Sequence, residues 1–153
     1  MTHETEQDLY LERRIAERLA QAWKCKPEKL PPYWHCDYLL TRQSPDYERP
    51  IGAAWCELRG RTCNRYDYPT IFVDVLKSAS LAELSDFSGI PCLFVVQWQD
   101  EAAYIDMSKA KGLAVSYPRR NNPRVGSNGK LNTDAPVINL PTDAFITLWE
   151  GHV

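Results

Sequence analysis

The chain lacks any apolar run long enough to cross a membrane; its longest runs are strand-sized. It also lacks an excess of either charge. With 18 Lys and Arg against 20 Asp and Glu, the formal net charge is -2, so the chain is no generic polyanion binder, and any grip on phosphate must come from local basic segments. There is no Cys-x-x-Cys pair and no sign of a secretory leader, and five cysteines (Cys25, Cys36, Cys56, Cys63 and Cys92) are an odd number for a disulfide framework. Reduced thiols in a cytoplasmic protein are the expectation. Cys25, His35, Cys36 and Cys63 are spaced unlike the usual zinc-ligand pairs, which argues against a zinc site. Internal repeats and low-complexity segments are absent as well. A chain of 153 residues without them is expected to form one domain around a real core.

What is present reads as alternating helix and strand. Leu9, Leu11, Ile15, Ala16, Leu19, Ala20 and Trp23 recur at helical spacing, and no Gly or Pro interrupts them, so a helix is expected from about Gln7 to Trp23. Glu12 projects near the middle of its apolar arc, whereas Glu17 falls on the wet side. A carboxylate in that position either reaches water or an Arg at the domain edge, or has a functional role. The segment Pro27 to Pro32 stops the helix as a Pro-rich linker. Strands are then expected over Trp34 to Thr41, Gly52 to Arg61 and Tyr68 to Leu76, the last ending at Lys77. Ser80-Leu-Ala-Glu83 has the form of a capping box opening a short helix that Gly89 closes. Ile90 to Gln97 reads as a buried strand after a helical crossover, which implies that the third and fourth strands run parallel. Ala102 to Met107, Leu113 to Tyr117 and Val137 to Leu140 add peripheral strands, and Phe145 to Trp149 forms a short terminal element of open type.

Two features carry chemistry. In Trp55-Cys56-Glu57-Leu58-Arg59, strand alternation puts Glu57 and Arg59 on one face and Cys56 and Leu58 on the other, with Asp37 on the preceding strand. An acid and a base within an apolar run must pair or bind something; an ion pair on a solvated face is the plain alternative. The second feature is the stretch from Pro118 to Lys130, which holds Arg119, Arg120, Arg124 and Lys130 among Asn, Gly and Pro. It reads as a long, mobile, basic loop, either merely solvated or a phosphate-contacting arm.

The order helix, three strands, helix, strand, with Glu12 on the helix, Asp37 on the first strand and Glu57-x-Arg59 on the second, resembles the PD-(D/E)XK nuclease superfamily. Within it, the chain is similar to the small resolvase-like endonucleases. The resemblance covers roughly Glu12 to Trp98 and implies a restriction-endonuclease-like α-β-β-β-α-β core, an α/β fold with a central mixed sheet and added peripheral strands. It implies a Mg²⁺- or Mn²⁺-dependent endonuclease hydrolysing phosphodiester bonds in DNA, including branched or distorted DNA. Asp37 and Glu57 would be metal ligands with the backbone carbonyl of Leu58, and Glu12 would assist. Arg61, Arg65, Arg119, Arg120, Arg124 and Lys130 would contact phosphates, and a homodimer is implied by analogy with enzymes that cut two strands symmetrically. Hard oxygen ligands suit this chemistry, because a divalent cation they hold can activate water and neutralise charge on the phosphate.

The sequence departs from the superfamily pattern at Arg59, where the motif has lysine. Arginine stays protonated and cannot accept a proton, although it can stabilise developing negative charge. Lys77 is the candidate to supply the amine from a neighbouring position. Two other readings stand beside the nuclease: a catalytically silent member of the same fold that binds nucleic acid or protein, and an unrelated α/β domain in which Glu12, Asp37, Glu57 and Arg59 form a structural polar network. None of the five Trp and eight Tyr is assigned to base stacking on sequence grounds.

Overall fold

The computed structural model describes residues 5–117, 124–125, 131–132 and 135–153. The chain opens with α1 (Glu6–Ala22), which starts where expected because Thr5 caps it. The Thr5 hydroxyl accepts from the Asp8 amide, and the Asp8 carboxylate accepts in return from the Thr5 amide, each at 3.1 Å. Its buried residues are Ile15, Ala16, Leu19 and Ala20, the stripe that the periodicity marks. After it come β1 (Lys26–Lys29), β2 (Tyr38–Arg42), β3 (Ile51–Gly60), β4 (Thr70–Asp74), α2 (Val75–Ser88), β5 (Cys92–Gln97) and β6 (Glu101–Asp106). The remaining strands are β7 (Val115–Ser116), β8 (Arg124–Val125), β9 (Leu131–Asn132), β10 (Val137–Pro141) and β11 (Ile146–Glu150).

The central sheet has six strands in the order β1-β2-β3-β5-β6-β11. Only β3 and β5 run parallel, and every other neighbouring pair is antiparallel, so the sheet is mixed. Its two faces feed two cores. On one, Cys56, Leu58, Leu93 and Val95 pack under Ile15 and Leu19 of α1. On the other, Cys92, Phe94 and Val96 pack against Leu81 of α2 and against Ile71, Val73 and Leu140 of a small sheet, ordered β4-β10-β7. Covered on both faces, β5 is buried at every residue, which is why its sequence is an unbroken apolar run ending in Gln97.

Four sequence expectations are corrected. The apolar stretch 68–76 is not one strand: β4 ends at Asp74, whose carboxylate accepts from the amides of Leu76 (2.8 Å) and Lys77 (3.3 Å) and so caps α2 six residues earlier than Ser80 would. Ser80 and Glu83 lie inside that helix, and Gly89, with φ of 74°, closes it as expected. The third strand does not run parallel to the fourth, because β4 leaves the central sheet to pair antiparallel with β10; the parallel pair is β3 and β5. The Pro-rich linker contains β1, an edge strand on which the missing amide of Pro27 costs no ladder bond on the open side.

Phe145 to Trp149 contributes β11, the opposite edge of the sheet. The stretch Pro118 to Lys130 is not loop throughout, since β8 pairs with β9. Arg119, Arg120 and Lys130 lie outside the described residues. No helix among the described residues is long and apolar enough to cross a membrane, and all five cysteines are free thiols.

Candidate active site

Alternation along β3 sends Glu57 and Arg59 to the α2 side of the sheet while Cys56 and Leu58 enter the α1 core. Asp37 is not within a strand: β2 begins one residue later, at Tyr38. The residue is nonetheless fixed on both sides, its amide donating to the Cys56 carbonyl at 3.0 Å and its carbonyl accepting from the Leu30 amide at 2.9 Å. The Asp37 carboxylate then accepts from the Leu58 amide at 2.7 Å, which draws it against β3 beside Glu57. A strand residue presents its N–H and C=O to the same neighbour, so the Leu58 carbonyl opens on the Asp37 side as well. Asp37, Glu57, Leu58, Arg59, Arg61 and Lys77 all border one cavity of about 670 Å³.

Lys77 is the residue whose placement differs most from expectation. It stands in the first turn of α2, not at a strand end, and its Nζ lies 3.2 Å from Oε2 of Glu57. The same ammonium donates to the His35 carbonyl at 2.5 Å. Glu57 is 8% exposed, and its Oε2 accepts no hydrogen bond among the described residues, the Lys77 contact being an ion pair. Burial first, and then the neighbouring Asp37 charge, push the Glu57 carboxyl up to about 7, with Lys77 and Arg59 opposing. A buried carboxylate oxygen met by one ammonium at 3.2 Å, beside a second carboxylate, is an environment a hard cation would relieve.

Glu12 opens on the same cavity and is half-buried as its helical projection implies, but it pairs with Lys29 of β1 at 3.4 Å. No three His, Cys, Asp or Glu side chains cluster at metal-binding distance among the described residues, so Glu12 does not join Asp37 and Glu57 in a three-carboxylate group. The helix still comes very near β3. A Cβ added to Gly60 would stand 2.6 Å from Cδ2 of Leu11, so the Leu11 side chain would have to turn aside.

The basic residues divide. Arg59 lies over the Phe94 ring with its guanidinium carbon 5.3 Å from the centroid. Arg61 borders the cavity, its Nε buried without a hydrogen-bond partner among the described residues, and burial followed by the charge of Arg59 holds its guanidinium below the ordinary value. Arg65 is corrected outright as a phosphate contact. It is 3% exposed and donates to Glu101 (2.5 Å), Thr147 (2.8 Å) and the carbonyls of Thr142 and Phe145, locking a turn after β3 onto β6 and β11. Arg124 sits in β8.

An α/β fold with a mixed central sheet, a pair of carboxylates at the junction of two adjacent strands and a lysine brought to one of them defines a PD-(D/E)XK nuclease fold. The chain belongs to the family described as "Phage putative PDDEXK endonuclease", whose pattern matches residues 1–148. Its structure is similar to that of Archaeoglobus fulgidus Hjc, a Holliday junction resolvase from an archaeal hyperthermophile, with a TM-score of 0.53 and 8% identity over 94% of this chain and 91% of that one. No curated protein matches the chain in sequence. Family and fold together support a nuclease, and nucleases of this superfamily generally use divalent metal ions. The carboxylate pair, with Glu57 buried and its charge disfavoured by Asp37, fits such an ion.

Sequence reasoning named Lys77 but mistook its element; Asp74, an N-cap residue type within the apolar run, is the signal that could have placed it. It overlooked His35, whose carbonyl steadies that lysine, because a lone His beside a strand carries no signal of its own.

Proposed function

We propose that the chain is a divalent-metal-dependent endodeoxyribonuclease in which Lys77 takes the role that the superfamily gives to the lysine of its strand motif. The observation that carries this reading is the approach of Lys77 Nζ to within 3.2 Å of Glu57 from the helix side, in the cavity that Asp37, Arg59 and Arg61 also border. Asp37, Glu57 and the Leu58 carbonyl would hold the cation, Mg²⁺ or Mn²⁺. When bound, it would lower the pKa of a water and neutralise charge on the scissile phosphate. Lys77 orients the attacking water and places an ammonium where negative charge grows; lysine, unlike arginine, can also exchange a proton. Arg59 and Arg61 hold the phosphate by charge. The substrate class we assign is DNA that departs from continuous duplex, including branched DNA, and a symmetric cut in two strands would be made by a homodimer.

The fold likeness to a junction resolvase supports the substrate class, and the position of Lys77 weighs against a silent binding module, since Arg59 was the only ground for one. The test is cleavage of labelled linear, single-stranded and four-way-junction DNA in Mg²⁺ or Mn²⁺ by the wild type and by Asp37→Ala. Metal-dependent cutting by the wild type, lost in the variant, is the expected result. Cutting that persists in Asp37→Ala overturns the site, and no cutting by folded wild type on any substrate returns the reading to a silent binding module.

A further inference from the structure

The cavity is bordered on one side by an aromatic side chain that the hydrolytic reading does not use. Trp34 stands in the irregular segment before β2, 39% exposed, beside Tyr33 at 83% exposed. Its indole is stacked on Trp55, with ring centroids 6.1 Å apart and planes 28° from parallel. Trp55 is itself anchored, its Nε1 donating to the Ser88 hydroxyl at 2.9 Å, and that hydroxyl donating to the Leu84 carbonyl at 2.7 Å. The Trp34 ring also meets His35 edge-on, with ring centroids 6.3 Å apart. The His35 ring bonds Ser80 through Nδ1 at 2.8 Å, and the His35 carbonyl holds Lys77. The backbone is fixed too: the Trp34 amide donates to the Pro31 carbonyl at 2.9 Å, at the end of a Pro-Pro pair.

A partly exposed indole held rigid from below, one residue from the carbonyl that grips Lys77, is a prepared surface and not a fragment of core. Cations in a groove combined with aromatic faces are what single-stranded nucleic acid binds, the cations taking phosphates and the rings taking bases. Lys77, Arg59 and Arg61 supply the cations here. Bases inside a continuous duplex already have both faces covered by their neighbours and offer none to an outside ring, whereas nucleotides at a branch, flap or single strand do.

We propose that Trp34 is a stacking platform for an unpaired base next to the scissile phosphate, and that it selects DNA with unstacked nucleotides. This rests on the nuclease reading for the phosphate, and its test has an arm that does not. Single-stranded oligonucleotides carrying one 2-aminopurine at successive positions are titrated, without metal, against the wild type, Trp34→Phe and Trp34→Ala, whose folding is verified by thermal unfolding. A duplex of the same sequence is titrated in parallel. The wild type is expected to quench 2-aminopurine, and Trp34→Phe to retain most of that quenching. Trp34→Ala is expected to lose it together with ~5- to 150-fold in single-strand affinity, the span that one base stack is worth, while duplex affinity stays within about twofold. The proposal is overturned if the wild type binds no single strand, if Trp34→Ala binds it as the wild type does, or if the loss is equal on duplex. Absence of cleavage by the wild type in Mg²⁺ would remove the nuclease reading alone and leave the binding arms to decide the platform.

Discussion

Replacing Glu57 by Gln removes a carboxylate that the folded chain charges only with difficulty. Its carboxyl, ordinarily near 4.5, is pushed up to about 7 by burial and by Asp37. Below pH 4.5 it is protonated in both the folded and the unfolded chain and has no effect. Between 4.5 and about 7 the folded chain holds a proton that the unfolded chain has released, so stability falls as pH rises, and the whole loss is in place above pH 7. At about 1.4 kcal/mol for each pH unit of that window the loss is about 3 kcal/mol. Glutamine has the same shape and no charge. The attraction of Lys77, whose side chain is 33% exposed, is already contained in that net shift, which it opposes. The metal-free Glu57→Gln variant should therefore be about 3 kcal/mol more stable than wild type at pH 8.5, a rise in Tm of ~6–12 °C for a chain of this size, and indistinguishable at pH 4.5. Thermal and urea unfolding in EDTA at the two pH values measure this. A variant that is less stable at pH 8.5, or a difference that does not change with pH, refutes the reasoning.

Other outcomes follow from the same geometry. Lys77→Ala should lower single-turnover cleavage about 10²- to 10³-fold, the usual cost of one preorganised donor, and Arg59→Lys should lower it less. Asp74→Ala removes the cap of α2 and should cost about 1 kcal/mol in urea unfolding, with cleavage reduced as well because Lys77 stands in that first turn. Arg65→Ala strands the Glu101 carboxylate and two carbonyls, so it should destabilise by about 3–5 kcal/mol. Below its own melting point the Arg65→Ala protein should bind DNA as the wild type does.

How much of this could be read from the sequence depended on whether the signal was local. The pairing of Glu57 with Arg59 on one face, and the buried stripe of α1, follow from periods of two and 3.6 that every residue along the element repeats. The split of residues 68–76 did not show, because Thr70–Asp74 and the first residues of α2 are equally apolar and only the Asp74 side chain marks the boundary. That β4 leaves the central sheet was hidden for a different reason: its partner β10 comes some sixty residues later, and no local pattern records a distant partner. Arg65 looked like one more cation in a polar turn, and its burial comes from contacts with Glu101, Thr142, Phe145 and Thr147 across the fold. The lysine was misplaced for a related reason. A superfamily motif directs attention to the strand, where this chain has Arg59, whereas the amine beside Glu57 arrives from a helix.

The most direct test of the account is single-turnover cleavage of a four-way DNA junction in Mg²⁺ by the wild type, Glu57→Ala and Lys77→Ala, with Mg²⁺ binding followed in parallel as a rise in Tm. The account predicts cutting by the wild type, none by Glu57→Ala and cutting about 10²- to 10³-fold slower by Lys77→Ala, with a metal-dependent rise in Tm that Glu57→Ala abolishes and Lys77→Ala retains. Wild-type rates in Lys77→Ala, or a metal shift undiminished in Glu57→Ala, would contradict it.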